Sequence, residues 1–117
     1  LLGSSVSLSS DGNTLAVVST FEPSGAIGVE GNQFNDVSTG AGAVYLYARV
    51  KAVWSQRAYI KAPNTDLLDT FGTSGLQLSE DGRILAVGTS AEDSAATGIG
   101  GNQADNTASG AGAVYLY

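Results

Sequence analysis

The chain has 117 residues, 43% of them hydrophobic and only 14% charged, which excludes the apolar-poor, highly charged class that stays disordered. A net charge of −6 turns it away from nucleic acid and anionic lipid, and the lack of His and Cys removes disulfides, thiol nucleophiles, and the usual general base and zinc ligands. No apolar run approaches the ~20 residues of a membrane helix, no signal peptide opens the chain at Leu1, and without an initiator Met it reads as an excerpt or a processed product.

From the N-terminus, Val6 and Leu8 alternate with Ser5, Ser7 and Ser9, the period of two expected of a half-buried strand. Asp11-Gly12 follows, a pair that accepts positive φ and marks a tight hairpin turn. Leu15-Ala16-Val17-Val18 is a short apolar run suited to an inner strand. A polar, glycine-rich stretch of roughly twenty residues leads to Ala43-Val44-Tyr45-Leu46-Tyr47, a β-branched and aromatic strand. Residues 54–61 set Trp54, Gln56, Ala58 and Ile60 against Ser55, Arg57, Tyr59 and Lys61, a fourth strand. Arg49, Lys51, Arg57 and Lys61 surround Trp54 and Tyr59, and the expectation is an exposed edge whose cations discourage edge-to-edge pairing. Residues 62–70, with Pro63 and Asn64, form a connector. Helix is nearly absent. Ser90 and Asp93 resemble a capping box, but Thr20 and Pro23 stand at the matching positions, so 90–96 reads as a turn.

The strongest signal is internal repetition. Residues 1–47 align with 71–117 without a gap, at a constant spacing of 70 that sets Gly82 against Gly12. Leu85-Ala86-Val87 answers Leu15-Ala16-Val17, Gly101-Asn102-Gln103 answers Gly31-Asn32-Gln33, and the block from Gly40 to Tyr47 recurs letter for letter from Gly110 to Tyr117. One period carries four short strands in up-and-down order, and radial stacking of such units makes propeller blades. The expected fold is therefore all-β: two four-stranded antiparallel blade repeats of a β-propeller. Unit one spans 1–70 with its connector, and unit two spans 71–117 and is incomplete, stopping before a fourth strand.

Catalytic chemistry finds little to stand on. Glu92 and Asp93 are adjacent carboxylates, but Glu22 and Pro23 match them, and the pair is expected to be solvated. Gly40-x-Gly42 and Gly110-x-Gly112 open strands rather than helices, which fails the dinucleotide fingerprint, and no Lys-Ser or Lys-Thr follows to make a phosphate loop. No enzyme is expected. The long loop holds the binding candidates Asn32, Gln33 and Asp36, with Asn102, Gln103 and Asp105 in the second unit. Ordered amide side chains that satisfy turn backbone groups are the first expectation there, and a ligand-facing loop the second.

Phe71-Gly72, Asp81-Gly82, Leu85-Ala86-Val87-Gly88 and Gly112-Ala113-Val114-Tyr115 together resemble the FG-GAP repeat, the blade unit of integrin alpha-subunit propellers and of many bacterial surface and secreted proteins. The resemblance covers essentially the whole chain and is closest to a bacterial subtype with a long loop insertion. Unit one departs from it with Leu1-Leu2 opposite Phe71-Gly72, and Val18 opposite Gly88. It implies a propeller of several blades, an extracellular or cell-surface location, and a role in adhesion or protein recognition. Family members often hold calcium on an Asp/Asn ladder before the Asp-Gly turn. Ser7, Ser9, Gln77 and Ser79 stand where that ladder needs carboxylates, so no cofactor is expected, and Asp11 and Asp81 are the only metal candidates.

The functional expectation is a non-catalytic recognition or scaffold module. Its partners would be further repeats of the same chain or identical chains, with a protein or glycan as ligand. The alternative is a structural subunit of a fibre or sheath, built by stacking repeats and exchanging strands between chains. A closed propeller leaves Arg57 and Lys61 as a solvated strip; a stacking interface buries them or pairs them with acids such as Glu22, Glu30 or Asp36.

Overall fold

The computed structural model describes residues 1–117. It is all-β, without helix, and holds two antiparallel sheets. The first contains β1 (Leu2–Leu8), β2 (Thr14–Ser19), β3 (Ala43–Val50) and β4 (Val53–Ile60), in the spatial order β1-β2-β3-β4. The second contains β5 (Gly75–Leu78), β6 (Leu85–Thr89) and β7 (Ala113–Leu116), in the order β5-β6-β7. Within each sheet every strand is thus hydrogen-bonded to its neighbours in sequence, the up-and-down order that short connections favour. The two sheets do not close on one another into a barrel.

Register repeats along with sequence. Val6↔Val17 and Leu8↔Leu15 in the first sheet return as Leu76↔Val87 and Leu78↔Leu85 in the second. Val17↔Tyr45 and Val18↔Val44 return as Val87↔Tyr115 and Gly88↔Val114. The first hairpin turns over residues 9–13. Gly12 takes φ +67°, while Asp11 accepts hydrogen bonds from the Ser9 hydroxyl and the Asn13 N–H at 2.7 and 2.9 Å. Asp81 does the same with Ser79 and Arg83. Short polar side chains bonding two residues onward are what make this a turn.

The core lies between the sheets. Ala16, Val18, Val44 and Ile60 of the first sheet meet Leu78, Leu85, Val87 and Tyr115 of the second, around Ala62 and Phe71 from the connector. Each Val, Leu, Ile or Phe side chain fully buried here contributes about 1.5–3 kcal/mol. The sheets approach most closely along their first strands, where β5 lies against β1 and β2. The Leu78 N–H donates to the Ser7 hydroxyl at 2.9 Å, and Ser10 donates to the Glu80 carbonyl through both its N–H and its hydroxyl. Farther out, rings fill the gap: Phe71 packs on Tyr115 at 5.6 Å and edge-on against Tyr117 at 6.2 Å. Gly42, at φ +81°, lies so close that an added Cβ would stand 2.6 Å from the Phe71 nitrogen.

Two expectations are corrected by this packing. Val6 and Leu8 do not face a core: they are 60% and 56% exposed, and buried Ser7 and Ser9 point the other way. Their counterparts Leu76 and Leu78 are covered, because the first sheet packs on that face of the second. Nothing covers the matching face of β1. The cationic strip is also split. β4 is an edge strand, and Arg49, Lys51 and Arg57 are exposed there, Arg49 lying over the Trp54 ring at 5.6 Å. Lys61 is 0% exposed. Its burial therefore cannot discriminate a ring from a stack, since its acid is supplied within the same unit.

Candidate functional site

Glu22 and Ser24 begin the long loop after β2, where the chain leaves the sheet and folds back over the end of β4. The Glu22 carboxylate accepts from the Ser24 N–H at 3.2 Å, the Tyr59 hydroxyl at 2.6 Å and the Lys61 ammonium at 3.1 Å. Glu22 is 7% exposed, so it is not solvated as a surface acid would be. Burial pulls the Lys61 pKa below the usual lysine range, and the Glu22 charge opposes that shift. Burial and then the Glu22 hydrogen bond push the Tyr59 hydroxyl far above its ordinary value.

The same loop clamps the backbone. Tyr59 accepts from the Glu30 N–H at 2.8 Å, and Lys61 donates its N–H to the Gly28 carbonyl at 2.8 Å. On the other side Ile60 pairs with Val44 of β3. The Tyr59 ring fills a slot made by Ala26, Ala43 and Tyr45, with the two tyrosine rings 5.3 Å apart. An extended Tyr-Ile-Lys-Ala segment is therefore held between a strand and a loop, with its charge met by one carboxylate.

Unit two repeats the carboxylate and the walls of this slot. Glu92 is 2% exposed and accepts from the Ser94 N–H at 3.0 Å, as Glu22 does from Ser24. Its other oxygen takes the Asn64 amide at 2.7 Å, from the connector. Ala96, Ala113 and Tyr115 stand where Ala26, Ala43 and Tyr45 stand in unit one, and they line an open groove of about 880 Å³ with Gly98, Ile99 and Gly100. Tyr115 donates its hydroxyl to Asn64 at 2.8 Å, and burial, with the Glu92 charge beside it, pushes its pKa up to about 12. The expectation that Glu92 is solvated is thus corrected: it sits at the wall of the groove, and its neighbour Asp93 is half-buried and accepts the Gly110 N–H at 2.7 Å.

The loop amides do structural work. Asn32 and Asn102 accept from the N–H groups of Phe34 and Ala104 through their side chains, while their carbonyls take the hydroxyls of Ser24 and Ser94. Asp105 accepts twice from Thr107, and the Gln103 carbonyl takes the Asn64 amide. Gln103 is brought to the groove of unit two; Asn32 and Asp36 stay exposed on the loop of unit one, with Gln33 half-buried there. Asp11 and Asp81 are each used by their own turn, whose hydroxyl and N–H donors lower both pKa values, and no three acids converge anywhere in the chain.

Sequence reasoning missed Glu22, Glu92, Tyr59, Lys61 and Asn64 as a set. A signal existed: besides the turn aspartates, Glu22 and Glu92 are the only acids that recur at the same place in both units. No protein-family model, curated protein or solved structure matches the chain. The site sets a buried carboxylate, an aromatic slot and a sheet edge side by side.

Proposed function

We propose that this chain is a non-catalytic repeat module of the FG-GAP, β-propeller type that packs against further units of its own kind and serves recognition or scaffolding outside the cell or on its surface. The observation that carries this reading is that its two sheets pack through unlike faces. Ala16, Val18, Val44 and Leu46 of the first sheet point at the second. Their counterparts Ala86, Gly88, Val114 and Leu116 lie on the outer face of the second sheet, where Val114 and Leu116 are each 71% exposed. The inner face of the second sheet, with Leu76 and Leu78, corresponds in turn to the outer Val6 and Leu8 of the first. One face of each kind is left free, so the same contact is available to another copy at either end, and such heterologous contacts close into rings or run into filaments. The closer approach at β1 and β5 favours the ring, because sheets that splay outward stack around an axis.

Native mass by light scattering tests this with two variants, Leu8→Asp and Val114→Asp, each placing a charge on one free face. The wild type associates as concentration rises, either variant alone stays monomeric, and an equal mixture forms a one-to-one dimer and nothing larger. A discrete wild-type multiple selects the ring and an open-ended size distribution the fibre. A wild type that stays monomeric at high concentration, or a single variant that still dimerises, overturns the reading. Calcium has no part in it: a chelator leaves the assembly unchanged, whereas dissociation would place an ion at Asp11 and Asp81.

A further inference from the structure

We propose that copies of this chain dock end to end, the β3–β4 hairpin tip of one against the loop end of another, through opposite charges set beside apolar side chains. The proposal rests on the repeat reading above but uses neither of the stacking faces. Because the strands run up and down, both long loops and the connector gather at one end of the sheets, and the hairpin turns at the other. Charge divides the same way. Three acids in each long loop and two in the connector make eight of the chain's eleven, against one cation, Lys61. That lysine is buried on Glu22 and neutralises nothing at the surface. The exposed cations Arg49, Lys51, Arg57 and Arg83 lie near the opposite turns or along β4.

Each end also shows apolar side chains that the fold does not use. The pairing of β2 with β3 stops at Thr14 and Ala48, and beyond it β3 and β4 run on as a bare hairpin. Val50 and Val53 pair at its tip, both largely exposed, and Arg49 lies over the Trp54 ring. Lys51 and Ala52 make the turn at φ +49° and +65°, the left-handed region that asparagine and glycine usually fill.

At the loop end, Phe34 and Val37 are exposed with unit two in place, and their counterparts Ala104 and Thr107 are exposed with unit one in place. A unit with neighbours on both sides therefore still shows these positions. Leu67 and Leu68 stand in the connector between the two units it joins, and both are exposed. Leu68 is held outward under strain: its φ is +67°, a region that bulky side chains avoid. Its N–H donates to the Thr39 carbonyl at 3.2 Å, and Gly40 leaves it room, since a Cβ there would stand 2.9 Å from its Cδ2. Glycine takes such a backbone freely, so an exposed leucine kept there points to a use for the side chain. Asp36 and Asp66, both exposed, adjoin Val37 and Leu67. A cationic tip with valines and a tryptophan thus faces an acidic end with phenylalanine, valine and leucines. Opposite potentials orient the two, and burial of the apolar patches supplies affinity. Like ends repel, so the contact is head to tail and open-ended.

The test uses the whole chain with both stacking faces blocked, Leu8→Asp together with Val114→Asp, and follows native mass by light scattering. At about 0.05 M salt this chain associates as its concentration rises; at about 0.5 M, where the screening length falls to roughly 4 Å, association weakens at least tenfold. The mixing experiment on Leu8 and Val114 is read at the higher salt, so the two readings fail separately. In the blocked chain, Asp36→Lys with Asp66→Lys turns the loop end cationic, and Lys51→Glu with Arg57→Glu turns the tip acidic. Each set alone stays monomeric, and an equal mixture associates again, because the tip of the first meets the unaltered loop end of the second. That recovery also shows both sets to be folded. Leu68→Gly melts no lower than its parent, yet weakens association at least tenfold. The inference is overturned by a blocked chain that stays monomeric at low salt or associates regardless of salt. It is equally overturned by a charge-reversed set that still self-associates, a mixture that does not, or a Leu68→Gly chain that associates like its parent.

Discussion

Replacing Lys61 by methionine keeps the length and apolar stem of the side chain and deletes its charge. In the wild type this ammonium is wholly buried 3.1 Å from a carboxylate that is itself nearly covered. The variant leaves Glu22 in place with only the Tyr59 hydroxyl and the Ser24 N–H as donors. Removing one partner of a buried ion pair costs about 3–5 kcal/mol, because the remaining charge is stranded in a low dielectric. For a chain of this size that lowers the melting temperature by roughly 12–20 °C. Thermal unfolding followed by circular dichroism, with urea titrations for the free energy, reads the effect. The cause is diagnosed by the double variant. Adding Glu22→Gln to Lys61→Met restores about 2 kcal/mol, since the amide oxygen still accepts from Tyr59 and Ser24 without a charge. A deficit below about 1 kcal/mol, or one that Glu22→Gln does not relieve, refutes the account of this pair.

Gly42→Ala and Gly112→Ala alter the same letter of the repeat but differ in cost. At Gly42 the new Cβ meets the Phe71 backbone at 2.6 and 2.7 Å and a φ of +81°, while at Gly112 its nearest neighbour lies at 3.2 Å with φ +77°. Melting temperatures are expected to fall for both, with Gly42→Ala the worse by about 2 kcal/mol of overpacking; equal losses would refute the role assigned to Phe71. Burial raises the Asp69 carboxyl to about 6, against the Asp66 N–H that lowers it and with the charges of Asp66, Glu92 and Asp93 adding to the rise. Folding then favours its protonated form, so its contribution is full below the unfolded value near 4 and is lost as pH rises through about 6. Asp69→Asn is expected to be more stable than the wild type at pH 7, on the order of 1 kcal/mol after solvent screening, and level with it at pH 4. Urea titrations at the two pH values check this.

The strand order and the turns were legible in the sequence, because each rests on local chemistry. Alternation of Leu76 and Leu78, the β-branched and aromatic run through Tyr45, and Asp-Gly before each second strand specify geometry within a few residues of themselves. The 70-residue repetition added that both units share one register, and the ladders agree pair by pair.

Burial was another matter, since it depends on which neighbour covers a face. Val6 and Leu76 follow the same pattern, yet one is exposed and the other packed, and no local rule separates them. Lys61 reads as an edge cation and Glu92 as a surface acid until the loop after β2 folds back and sets a carboxylate against the last residues of β4. That contact joins residues 39 positions apart, across a stretch of loop with no periodicity to announce where it goes. Local patterns set the strands of each unit, whereas long-range packing settled which faces are buried and which charges meet.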